Sequence, residues 1–86
     1  MRSIISTHEF DRQVESLGGA KALDEVLSPL MEALSRDPYG FTKFENDYTS
    51  FRYAMTRETI LTPRLAIVFT IDENKNVVLE NIEVIK

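Results

Sequence analysis

Apolar positions along the chain change their period near residue 50, from a helical spacing before it to an alternating one after it. Met1 to Ile5 is a short apolar run that ends at Ser6 and Thr7, and Ser6-x-x-Glu9 has the spacing of a capping box, so a first strand leading into a helix is predicted. On that helix Phe10, Val14 and Leu17 fall at i, i+4 and i+7, and Gly18-Gly19 supplies the stop. A second stripe follows between Ala20 and Ser35, with Leu23, Leu27, Leu30 and Leu34 on one face and Val26 and Met31 beside it. Pro29 lies inside this stripe. It either kinks one helix or opens a new one capped by Ser28. The stripe keeps its phase across Pro29 while Pro29 itself faces away from it, which predicts one kinked helix ended by Asp37-Pro38-Tyr39-Gly40.

Beyond residue 50, Phe51, Tyr53 and Met55 alternate with Arg52, Ala54 and Thr56, the period-two pattern of a half-buried strand. The apolar phase assigns Phe51 and Tyr53 to the core and Arg52 to the exposed face. Leu65, Ile67, Phe69 and Ile71 repeat the pattern, and Ala66, Val68 and Thr70 between them predict a strand covered on both faces. Asp72 to Asn76 reads as a hairpin loop to a last strand from Val77 to Ile85, whose apolar set changes phase near Glu80-Asn81 as a β-bulge would make it. The element order is β-α-α-β-β-β. It predicts an α+β domain with two N-terminal helices packed on one face of a small, mostly antiparallel sheet, and a single domain over residues 1–86.

Composition narrows the classes further. With 43% hydrophobic residues and a net charge of -4 in 86 residues, the chain has the makings of one core rather than of a disordered segment. There is no cysteine, so neither a disulfide nor a thiolate metal site is available. No stretch has the length of a membrane span or the form of a signal peptide, which gives the expectation of a cytoplasmic protein without membrane contact. A sequence pI near 4.9 disfavours binding to RNA or the ribosome through a broad basic face.

Candidate chemistry is sparse. His8, the single histidine, falls in the first turn of a predicted helix and reads as an exposed polar residue rather than a general acid or base. Asp11, Glu15, Asp24, Glu25 and Glu32 read as solvated helix faces, and the loop from Asp72 to Asn76 lacks calcium-loop spacing. No metal site, cofactor site or catalytic residue is expected. One positive excess remains, since Arg52, Arg57 and Arg64 are opposed in sequence only by Glu58 and lie near Tyr48 and Tyr53. These arginines are candidates for binding phosphate or a target, against the plainer reading of solvated strand and loop residues.

The element order, the run RLAIVFTID at 64–72 and the tail NVVLENIEVI at 76–85 together resemble the RelE/ParE superfamily of toxins from toxin–antitoxin systems. The helices from Phe10 to Leu17 and from Leu23 to Leu34, Asp37-Pro38, and the strands from Leu65 to Asp72 and from Val77 to Val84 are the counterparts. The resemblance implies a cognate antitoxin as partner. It also implies, in the ribonucleases of the superfamily, an arginine on the third strand where this chain has Ala66, and a basic residue with Tyr or His beyond the last strand, where this chain stops at Lys86. Those departures favour a toxin-type domain that acts by protein binding without ribonuclease activity. The alternatives are a ribosome-dependent mRNA endoribonuclease with a displaced basic site, and a non-toxic interaction domain of the same fold. A homodimer through a free sheet edge is a further expectation.

Overall fold

The computed structural model describes residues 2–44 and 51–85. Strand β1 (Ile4–Ser6) leads into helix α1 (His8–Ser16) and helix α2 (Ala20–Arg36). A single 3-10 turn (Pro38–Gly40) and a two-residue strand β2 (Thr42–Lys43) come next, then β3 (Arg52–Met55), β4 (Leu65–Ile71) and β5 (Val77–Val84). The strands form one sheet in the order β1-β5-β4-β3-β2, antiparallel except for the parallel β1–β5 pair. The α+β class and the mostly antiparallel sheet agree with the sequence pattern. The sheet has five strands because Thr42–Lys43, too short to leave a periodicity, pairs with β3.

The helices form where the pattern places them, with one shift at the start. Thr7 rather than Ser6 caps α1: its Oγ1 accepts from Phe10 N–H at 3.2 Å and donates to the Leu79 carbonyl at 2.9 Å. Ser6 is taken up by β1, so the capping box does not form. The cap therefore also fastens α1 to β5. Gly18 and Gly19 have φ of +116° and +92°, backbone that only glycine enters without strain, and they turn the chain from α1 into α2. Helix α2 runs through Pro29 as one element and buries Leu23, Val26, Leu27 and Leu34. Both helices pack on the sheet face that carries Leu65, Ile67, Phe69, Val77, Leu79 and Ile82, all nearly inaccessible.

The phase change on β5 is a bulge. Val68 pairs with Asn81 but Phe69 pairs with Leu79, so Glu80 is the extra residue, and the inward set passes from Val77 and Leu79 to Ile82. Gln13 on α1 spans this irregularity. Its Oε1 accepts from Ile82 N–H at 2.8 Å and its Nε2 donates to Asn81 Oδ1 at 2.6 Å.

Two expectations about faces are corrected. On β3 the core residue is Ala54, whereas Phe51 and Met55 are exposed and Tyr53 is half-buried. Arg52 lies opposite Phe69 and therefore on the helix side of the sheet, not on the exposed face. Phe41 explains the inversion: it packs edge-on against Phe69 at 5.8 Å and occupies the space that large β3 side chains would need. Strand β4 is covered on one face only. Ala66, Val68 and Thr70 stay half-buried on the other.

Candidate functional site

Among the described residues, the side of the sheet away from the helices carries apolar surface that the fold leaves uncovered. Register places Tyr53 opposite Val68 and Met55 opposite Ala66, with Glu83 beyond Ala66 and Thr42 beyond Tyr53. Phe44 N–H bonds to the Phe51 carbonyl, which continues the pairing and puts both rings on this face. Phe44 and Tyr53 lie 5.0 Å apart between ring centroids. Ile5, paired with Val78, extends the surface at the opposite edge. A shallow groove of about 420 Å³ runs over Phe44, Tyr53, Met55, Ala66 and Val68. Its charged lining residues are Lys43 and Glu83. Met55 is 46% exposed here, an arrangement in which a flexible thioether lies open to a partner.

The three candidate arginines do not converge on this groove. Arg52 turns to the helix side, where its Nη1 donates to the Phe41 carbonyl at 2.9 Å and lies 3.4 Å from the Tyr39 carbonyl. It is the tie that holds the 3-10 turn against β3. Arg57 lies past the other end of β3 and faces Glu25 of α2 at 3.7 Å, a pair exposed on both sides and therefore weak. Arg64 is exposed just before β4, where its carbonyl accepts from Ile85 N–H at 2.9 Å. Arg57 and Arg64 flank the hydrogen-bonded pair of Thr56 and Leu65, whereas Arg52 is at the far end of β3. Tyr48 lies outside the described residues, as does Lys86. His8 is exposed at the first position of α1, as its place in the sequence suggests.

Between Arg57 and Arg64 the chain forms a hydrogen-bonded loop. Thr59 N–H donates to the Thr62 carbonyl at 2.8 Å, Thr62 N–H donates to Thr59 Oγ1 at 3.0 Å, and buried Thr56 accepts from Leu65 N–H at 2.9 Å. Ile60 and Leu61 stand almost wholly exposed at its tip. No helix among the described residues is long and apolar enough to cross a membrane.

Comparison with known proteins finds no matching family model, no curated relative and no similar solved structure.

Proposed function

We propose that this chain is a RelE/ParE-like toxin-type domain of a toxin–antitoxin system that acts by protein binding and not as a ribonuclease. The observation that carries the reading is the uncovered sheet face, apolar over Val68, Tyr53, Met55 and Phe44 and lined by one cation, Lys43. Phosphoryl transfer needs several positioned donors for the charge that develops in the transition state, and losing one typically slows the reaction by about 10²–10³-fold. The commitment of Arg52 to the Phe41 carbonyl on the helix side tells against a displaced site assembled from Arg52, Arg57 and Arg64. Edge pairing has little to work with, since β1 has three residues and β2 two.

The partner segment is amphipathic, with apolar side chains over Tyr53, Met55 and Val68 and a Lys or Arg opposite Glu83. A net charge of -4 favours a basic protein, as a DNA-binding antitoxin would be. Overproduction should arrest growth, and co-expression of the antitoxin gene beside it should relieve the arrest. Met55→Asp should weaken the complex at least tenfold, about 1.4 kcal/mol, while leaving the melting temperature near that of the parent, because Met55 is already exposed. Cleavage of ribosome-bound mRNA by the purified protein, lost in the double variant Arg52→Ala, Arg64→Ala, would reject this reading in favour of the displaced nuclease. Unaffected growth would favour a non-toxic interaction domain instead.

A further inference from the structure

We propose that the cleft between Arg2, the last turn of α2 and the β4–β5 hairpin binds a phosphate monoester group. The cleft, about 540 Å³, is lined by Arg2, Ser35, Arg36, Asn74 and Lys75, three cations and two neutral hydrogen-bonding side chains with no carboxylate among them. Arg2 Nη1 is buried and has no hydrogen-bond partner. The Arg2 guanidinium lies over the Tyr39 ring and fixes its charge at the wall of the cleft, while the exposed Arg36 and Lys75 carry the donors that reach an oxyanion.

The fold concentrates positive charge here although the sequence distributes it evenly. Tyr39 joins the cleft to a smaller one beside it: the Arg2 guanidinium carbon lies 5.5 Å from the ring centroid and that of Arg52 lies 5.6 Å from it. The second cleft is lined by Tyr39, Lys43, Arg52, Ile71 and Asp72. Arg2, Arg36, Lys43, Arg52 and Lys75, half of the ten basic residues, thus line the two clefts, with Asp72 the one carboxylate lining them among the described residues and Glu32 paired to Arg36. Repulsion from the remaining surface directs an anion to these clefts.

The groups around the cleft have different duties. Arg52 is committed to the Phe41 carbonyl, and Asp72 Oδ1 accepts from Asn74 and Asn76 N–H at 2.9 Å each. Ser35 donates its hydroxyl to the Glu32 carbonyl. The donors that remain for a ligand are Lys75, the Asn74 amide and Arg36, whose 2.7 Å pair with Glu32 is exposed and exchangeable. The negative end of α2 lies close by and offsets part of this field, so inorganic phosphate should bind with a dissociation constant on the order of millimolar. Several donors on one cleft suit the dianionic end of a monoester. A diester backbone would need cations spaced along a track.

The test is an amide chemical-shift titration of the whole chain with inorganic phosphate at constant ionic strength, with sodium chloride as the reference. Saturable shifts at Arg2, Asn74 and Lys75 are expected, and Arg36→Gln and Lys75→Gln should each weaken binding at least fivefold. Both side chains are exposed, so neither change should alter the circular dichroism spectrum. Adenosine monophosphate and inorganic phosphate distinguish the sources: tighter binding of the nucleotide assigns the group to a nucleotide stacked near Tyr39, and equal binding assigns it to phosphate itself. A short single strand should bind more tightly with a 5′-phosphate than with a 5′-hydroxyl. Absence of saturable shifts, indifference to both substitutions, or equal binding of the two strands would overturn the proposal. None of these results depends on the open sheet face, so the site and the partner-binding reading fail separately.

Discussion

Gln13 sits on a helix, yet its side chain completes the sheet. The bulge at Glu80 breaks the regular ladder, and Gln13 Oε1 takes the Ile82 N–H there. Removing the acceptor leaves a partly buried donor without a partner, which costs about 1–3 kcal/mol. Gln13→Ala should therefore lower the unfolding free energy by about that amount in a urea titration. Gln13→Glu keeps an acceptor at the same reach but loses the Nε2 donor to Asn81 and sets a carboxylate beside Glu9, so it should recover only part of the loss. No periodicity points to Gln13, because its partners Asn81 and Ile82 lie 68 and 69 residues further along the chain. The bulge was readable from the changed phase of Val77, Leu79 and Ile82, whereas the residue that serves it was not. Arg52 was misread for a related reason: its strand has apolar residues in both phases, and only the arrival of Phe41 over Phe69 decides which phase turns inward.

The elements that the sequence marks clearly are those whose ends are set by local chemistry. Gly18-Gly19 and Asp37-Pro38 bound α2, and the Leu23 to Leu34 stripe persists through Pro29 because proline loses only one helix hydrogen bond on an exposed side. The β4–β5 hairpin is another such element. Lys75 N–H bonds to the Asp72 carbonyl at 3.0 Å, and Lys75 has φ +68°, a left-handed conformation that costs a side-chain-bearing residue about 1–2 kcal/mol. Lys75→Gly should raise the unfolding free energy by roughly 0.5–1 kcal/mol once the greater freedom of glycine in the unfolded chain is counted. Asp72→Ala in the same loop should lower it by about 1–2 kcal/mol, since two backbone N–H groups lose the carboxylate that accepts from them. Thermal melts of the two variants should move in opposite directions. Strand β2 was not legible, because a pair of residues carries no period and owes its pairing to the turn at Pro38–Gly40 before it.

Across the whole molecule, one face of the sheet is sealed by helices and the other is left half-open, and charge is gathered at the end near Tyr39. Neither arrangement was visible beforehand. Each half of the sequence holds the same number of basic groups, and Arg2, Arg36, Lys43, Arg52 and Lys75 meet only through the fold. Stability should be graded from the centre outward: amide exchange should be slowest at Ile67, Phe69 and Leu79 on β4 and β5 and fastest on β1 and β2, as native-state exchange would show residue by residue. The parallel pair at one edge, Ile4 with Val77, Ile5 with Val78 and Ser6 with Leu79, also orders events during synthesis. Among the described strands, the earliest, β1, has its only hydrogen-bonded neighbour in the latest, β5, and the Thr7 cap awaits the Leu79 carbonyl of that strand. A nascent chain stopped before Val77 lacks both. The finished sheet therefore waits for β5 to emerge, and β1 has no place in it until then.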